Sequence, residues 1–231
     1  MLKPENQLPS EVLAALPIFP LPNVVLLPGM VLPLNVFEPR YLELVDHIRG
    51  GAGYLGIPLL RPGYEADYAG RPPIEEIFGV GRLIAHQRLP DGRRLIRVEG
   101  LGRVRLGHEL PPRRAFREVA VTPLHEPPPR DLNALALLRA QIERLIELIP
   151  TDGEQLRTLL SIADPRVLAY ALIASLPAIE ALADAPGGCS ALQHIQRGLD
   201  AETVDDRVQR LIERSGRALS LLARGTQSRL H

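Results

Sequence analysis

Lysine is almost missing from this chain: of its 27 basic residues, only Lys3 is a lysine, and the rest are arginines. No G-x-x-x-x-G-K-[ST] phosphate loop can be written. With the lone lysine in an N-terminal stretch expected to fray, neither a Schiff-base lysine nor a Ser–Lys dyad is available. Cysteine is nearly as scarce. Cys189, in APGGCSAL, excludes an internal disulfide and a thiolate metal cluster, and reads as a small loop or helix-start residue. There is no tryptophan, and five tyrosines and four phenylalanines are the only aromatics. The longest apolar stretch, near Asn23–Phe37, is interrupted by Pro28, Gly29, Pro33 and Asn35, so a membrane span is not expected. The start, MLKPENQLPSEV, lacks a basic-then-apolar leader, which makes the cytoplasm the expected location.

Catalytic patterns are missing too. His47, His86, His108, His125, His194 and His231 fall in no H-x-x-x-H or H-E-x-x-H motif, so no metal is expected. None of the seven serines lies in G-x-S-x-G. Gly79-Val80-Gly81 is a fragment of a dinucleotide fingerprint, but it sits within a strand pattern, where close packing or a bulge explains it better. The expectation is a protein with no cofactor, no catalytic residue and no enzymatic activity.

What the chain does have is proline in an apolar setting. Leu16–Asp46, LPIFPLPNVVLLPGMVLPLNVFEPRYLELVD, carries Pro17, Pro20, Pro22, Pro28, Pro33 and Pro39 among Leu, Val, Ile and Phe. Each proline fixes φ and removes a donor, which predicts short, edge-like strands joined by stiff turns. Pro39 suits the first turn of a helix. Over Pro39–Arg49, Tyr41, Leu44, Val45 and Ile48 make one buried stripe, and Gly50-Gly51 follows as a stop.

Ala15–Phe19, Val31–Phe37 and Gly53–Leu60 read as strands, and Arg61–Pro73 as a long exposed loop. GVGRLIAHQRL and RRLIRVEGL flank Pro90-Asp91-Gly92, a hairpin turn. Strands at Arg103–Glu109 and Phe116–Leu124 follow, with Val104 and Leu106 facing inward and Arg103 and Arg105 toward water. Six or seven short strands and one helix make a small closed or nearly closed barrel the expected first half.

HEPPPRDL marks a break, with Asp131 as a helix cap. Leu135, Leu138, Ile142, Leu145 and Ile149 share one helical face, and Asp164-Pro165 opens a helix with Val167, Leu168, Ala171, Leu172 and Ser175 in phase. A last helix, about Val204–Ala223, groups Val208, Leu211, Leu219 and Leu222, with Arg207, Arg210 and Arg214 on its polar side. APGGCS separates two helices, and Gly225–His231 is expected to fray. The fold class is therefore α+β: a barrel subdomain over residues 1–126 and an α-helical bundle over 127–231.

PIFPLPNVVLLPGMVLPLNVFEPRYLELV resembles the opening of the Lon N-terminal (substrate-binding) domain family, and VGRLIAHQRLPDGRRLIRVEGLGRVRL resembles that family's barrel hairpin. Asp164–Leu176 and the helix after Asp205 are similar to its helical part more loosely. The resemblance spans roughly Leu16–Leu222 and implies a PUA-like barrel followed by helices. Phe37-Glu38-Pro39-Arg40-Tyr41 is closer to stand-alone and E3-ligase-associated versions of the domain. Lon proteases continue into ATPase and Ser–Lys protease modules, neither of which these residues can supply. The implied role is to hold unfolded or exposed protein segments without cutting them.

Phe19, Leu21, Val24, Leu26 and Met30 are candidates for an apolar binding patch, although most are needed for the core. Glu38, Arg40 and Tyr41 are the polar cluster within this frame. They either stabilise the helix start and pair internally or line a groove edge. The alternative partner is RNA. Val80–Arg117 carries ten arginines against Asp91, Glu99 and Glu109. Arg82, Arg94, Arg97, Arg103 and Arg105 could contact phosphates, with Phe116 for stacking.

Overall fold

The computed structural model describes residues 8–149, 153–182 and 190–228. Lys3, Cys189 and His231 lie outside the described residues, as does most of APGGCS. The chain divides at His125/Glu126 into a sheet unit and a helical unit.

The sheet unit contains helices α1 (Ser10–Ala14) and α2 (Pro39–Gly50), a 3₁₀ turn at Tyr64–Asp67, and six strands. The strands are β1 (Leu16–Ile18), β2 (Val31–Val36), β3 (Tyr54–Ile57), β4 (Ile77–Arg88), β5 (Arg94–Glu109) and β6 (Arg117–Leu124). Their order is β2-β5-β4-β3-β1-β6, and β5 also pairs with β6. The sheet thus turns back on itself, but unevenly. One edge of β5 carries β2 beside Arg94–Glu99 and then β6 beside Arg103–Glu109, which leaves β2 outside the ring.

Several expectations change here. The strands expected at RRLIRVEGL and Arg103–Glu109 are one 16-residue strand, β5. Gly100 and Gly102 do not end it; they flank a bulge in which Val80 pairs with Gly102 and Gly81 with Gly100. Beyond the bulge the register is regular, so Arg103 lies on the face opposite Val104, yet it is only 3% exposed and Val104 is fully buried: both faces of β5 are covered here. The wet-face reading of Arg103 is therefore wrong, while Arg105 is exposed. The short β1 is not an edge strand: it pairs with β3 in parallel and with β6 antiparallel. Pro17 is tolerated because its register partner lies on β6 only, and pairing to β3 involves Ile18. Helix α1, capped by a proline rather than a side-chain acceptor, had no periodic signal.

Helix α2 follows its sequence pattern. Tyr41, Leu44, Val45 and Ile48 are all buried, with Pro39 in the first turn and Gly51 as the C-cap. They pack with Phe19, Leu26, Val36, Leu55, Ile57, Ile96, Val98 and Phe116. Each such side chain stabilises the fold by about 1.5–3 kcal/mol relative to exposure. A second cluster joins Leu16, Ile18, Phe78, Val80, Val104 and Val119. The hairpin turn behaves as read, with Gly92 at φ 88°.

The helical unit contains α3 (Leu132–Leu148), α4 (Gly153–Leu160), α5 (Pro165–Leu182), α6 (Ala191–Asp200) and α7 (Val204–Ser228). Asp131 caps α3 by accepting from Ala134 N at 2.9 Å. Ser190 and Gln193 form a reciprocal capping box on α6. Leu138, Ile142, Leu145 and Ile149 are buried, as are Val167, Leu168, Ala171 and Leu172. Helix α4 was not anticipated, and α7 runs five residues beyond Ala223, the expected end.

Arg207 departs most from the sequence reading. It is fully buried rather than on a polar face. Its Nη2 donates to Glu126 Oε1 at 2.7 Å, its Nε donates to the Gly198 carbonyl at 2.9 Å, and its guanidinium lies 4.1 Å from the Tyr170 ring centroid. Tyr170 in turn donates to the same Glu126 oxygen at 2.6 Å. An i+3/i+4 pattern that sorts residues only as apolar or charged places this arginine outside; its partner lies 81 positions away.

Candidate functional site

The proline-rich segment is held in the sheet unit by missing side chains. A Cβ at Gly79 would lie 2.0 Å from the Leu26 carbonyl oxygen, and one at Gly100 2.2 Å from that of Leu27. Gly29 N donates to the Gly100 carbonyl, and Gly100 N donates to that of Met30, both at 2.8 Å. Gly79-Val80-Gly81 therefore serves close packing and a bulge. Leu26 and Leu27 are buried as a result.

Of the candidate apolar patch, Phe19 and Leu26 are core residues, 4% and 1% exposed. Tyr41 is equally inaccessible, with its ring 4.1 Å from that of Phe19. Leu21, Val24 and Met30 are half-buried and retain some surface. The solvent-facing apolar residues of the sheet unit are others: Phe37 (63% exposed), Ile84, Val31 and Leu95. Along β2 and just past its end, Val31, Pro33, Asn35 and Phe37 are exposed, while Leu32, Leu34 and Val36 turn inward. The period of two was present in the sequence. It marked neither face, because most residues on both are apolar.

Glu38, Arg40 and Tyr68 form a closed polar network at the start of α2. Arg40 Nε donates to Glu38 Oε2 at 3.0 Å, and Tyr68 Oη donates to Glu38 Oε1 at 2.7 Å. Arg40 Nη1 reaches the Tyr68 carbonyl, and its guanidinium lies 4.6 and 5.0 Å from the Tyr41 and Tyr68 ring centroids. Burial opposes the Arg40 charge, but Tyr41 and Glu38 outweigh it and raise its pKa. Burial pushes the Tyr41 hydroxyl up to about 12, and burial with the bond to Glu38 raises that of Tyr68. Both phenols therefore act as protonated groups rather than bases.

This network helps to pin Arg61–Pro73, which is a largely exposed loop as expected. Arg71 Nη1 donates to Glu109 at 2.9 Å, and Arg117 Nη1 donates to the Pro72 carbonyl at 2.8 Å. Tyr64 and Tyr68 pack against the second core cluster. Exchange of Glu38→Gln is expected to weaken the anchor by about 1 kcal/mol, discounted for partial exposure. Amide exchange within Arg61–Pro73 should then quicken roughly fivefold by mass spectrometry. Unchanged rates there would remove Glu38 from this role.

The arginines of Val80–Arg117 do not make one open basic face. Arg94 bonds both oxygens of Asp46, at 3.2 and 3.0 Å. Arg82 approaches Glu99 at 4.0 Å, Arg93 pairs with Asp91, and Arg117 with Glu109. Arg103 is buried, as is Phe116, the one stacking candidate. Arg97 and Arg105 remain exposed.

Among the described residues no group of three or more His, Cys, Asp or Glu could hold a metal ion, and no helix is long and apolar enough to cross a membrane.

The sequence model of the ATP-dependent protease La (LON) substrate-binding domain matches residues 15–182. A Lon protease of Roseiflexus castenholzii is 29% identical over 176 residues, covering 74% of this chain and 21% of that protein. Lon protease 2 of Syntrophobacter fumaroxidans is 28% identical over 214 residues, covering 87% and 27% respectively. The chain thus spans about a quarter of the length of these curated relatives or less. Among solved structures, the N-terminal domain of Mycobacterium avium complex Lon protease superposes with a TM-score of 0.62 at 20% identity, over 87% of this chain and 98% of that one. That likeness is one of fold. The match over residues 15–182 shows that the chain belongs to the Lon substrate-binding domain family.

Proposed function

We propose that this protein is a non-catalytic module that holds exposed or unfolded segments of other proteins in the cytoplasm. The observation that carries the reading is the family match to a substrate-binding domain over residues 15–182. In these 231 residues one lysine and no hydrolase motif accompany it. The sheet unit is read as a PUA-like barrel subdomain over 1–126, and the helical unit as a bundle over 127–231. Neither hydrolyses ATP or peptide bonds.

The contacts are assigned to the solvent-facing apolar residues Phe37, Val31 and Leu95, with the exposed parts of Leu21, Val24 and Met30 contributing. An exposed phenylalanine on a rigid strand–helix junction is a ready anchor for apolar side chains. Glu38, Arg40 and Tyr41 support that junction from behind and are not the contact itself. The free edge of β2 also offers backbone groups for strand addition. Pro33 limits it: the Gly100 N to Met30 carbonyl bond places the 31, 33 and 35 backbone groups on that edge, and Pro33 has no donor to give.

RNA is the second reading, and commitment of Arg94 to Asp46, together with burial of Arg103 and Phe116, counts against it. The test is retention of a permanently unfolded, carboxymethylated protein on the immobilised chain. Binding should persist in about 0.5 M salt, where exposed ion pairs are screened. Phe37→Ser should weaken it about tenfold, the loss of one well-buried aromatic contact. Retention of RNA instead, lost in salt, would favour the alternative.

A further inference from the structure

At the C-terminal end of α2 the surface opens into a groove of about 290 Å³, walled by Arg49 and the Gly51–Gly53 turn on one side and Arg82–His86 of β4 on the other. Its lining holds Arg49, Arg82 and His86 and no carboxylate. The register of β4 explains its apolar part. Leu83 pairs with Val98 and Ala85 with Arg97, so Ile84 is an extra, bulged residue. It is 44% exposed and lines the groove together with Arg49 and Arg82.

The charges here are loosely held. Arg49 stands 3.6 Å from Asp46 and Arg82 4.0 Å from Glu99, and both arginines are about half exposed. Such pairs contribute about 0–1 kcal/mol and exchange readily for a better-placed anion. Arg94, by contrast, is committed to Asp46 at 3.0 Å. His86 Nε2 is buried and has no hydrogen-bond partner. Burial first, then the cations Arg49 and Arg94, hold the His86 pKa below its ordinary value, against Asp46, which raises it. A neutral imidazole with an open nitrogen therefore sits in a cationic, partly apolar trough.

We propose that this groove takes an extended peptide segment in which an aliphatic side chain lies next to an aspartate or glutamate. The aliphatic group packs on Ile84 and the Gly51–Gly53 turn, and the carboxylate bridges Arg49 and Arg82. Arginine suits this role because its planar fork binds both carboxylate oxygens. The lining contains no Phe, Tyr or Trp ring, and its exposed apolar side chain is the aliphatic Ile84, which suits a peptide's aliphatic group better than a base. The groove is open, so a chain can run through it, and an internal acidic residue is its ligand rather than a chain terminus. The proposal rests on the segment-binding reading above and names the chemistry of the segment.

The test uses the whole chain and a fluorescent peptide of about ten residues, capped at both ends, with a central Leu-Glu-Leu, read by anisotropy. Its Leu-Gln-Leu counterpart should bind at least about tenfold more weakly. The double variant Arg49→Gln/Arg82→Gln, at two exposed positions, should weaken the Glu peptide about tenfold and leave the two peptides indistinguishable. Ile84→Ser should weaken both. Equal affinity of the two wild-type titrations would overturn the assignment, as would a double variant that still discriminates them. Binding only by an uncapped peptide with a free C-terminal carboxylate, or displacement by oligoadenylate with the same arginine dependence, would overturn it too. Carboxymethylated protein retained through Phe37 alongside such a failure leaves the segment-binding reading standing. Loss of both would sink both.

Discussion

Arg207→Ala should be the most damaging single substitution in the helical unit, costing about 3–5 kcal/mol. The reason is what it leaves behind. Glu126 would keep its charge, mostly buried, with its 2.7 Å partner gone. Tyr170 would lose the guanidinium over its ring, and the Gly198 carbonyl would lose a donor. Removing one member of a buried pair is far costlier than replacing both by apolar groups of similar volume. Arg207→Met combined with Glu126→Leu should therefore recover a large part of the loss. Urea unfolding followed by helical circular dichroism measures both proteins. A shift below about 1 kcal/mol for Arg207→Ala would place this network among ordinary surface pairs.

Gly79→Ala comes next, with an expected cost of about 2–3 kcal/mol from a single added methyl. The new Cβ would lie 2.0 Å from the Leu26 carbonyl oxygen and 2.9 Å from the Leu26 Cβ. Backbone atoms cannot step aside as a flexible side chain can, so the proline-rich segment must lift from β4. Gly102→Ala is the control on the same bulge: nothing lies within 4 Å of its Cβ position, and it should cost under about 1 kcal/mol. Thermal unfolding of the two proteins separates close approach from any general intolerance of side chains in these strands. Equal effects would mean that the glycines matter for backbone freedom rather than for seating residues Leu26 and Leu27.

These two sites show where a linear reading succeeds and where it stops. Helix α2 was legible because its buried stripe recurs at helical spacing and its ends carry a proline and a glycine. The hairpin was legible because its turn residues demand one geometry. Gly79-Val80-Gly81 was assigned to packing or a bulge, and both are present. Buried arginines were not legible. Arg103 is buried although it lies on the face opposite Val104, so both faces of β5 are covered there, and Arg207 is buried because a glutamate 81 residues away meets it. Neither cause leaves a local mark.

The candidate site divides along the same line. Glu38 and Arg40 pair with each other, one of the two readings their positions allowed, but Tyr68, which completes their network and pins the following loop, is 30 residues from Glu38. Phe37 lay inside the motif that carried the family resemblance. Its exposure escaped notice because apolar residues in a proline-rich run read as core by default. Its exposure is set by the phase of β2, which only the pairing with β5 fixes.

The most direct test of the segment-holding account is to incubate the purified chain with a carboxymethylated unfolded protein, ATP and magnesium. The complex, the integrity of the bound protein and phosphate release are then followed together. The account predicts a stable complex, an intact client and no phosphate above the level without the chain. Fragments or phosphate that co-purify with this protein would contradict it, and so would a chain that captures no unfolded protein at all.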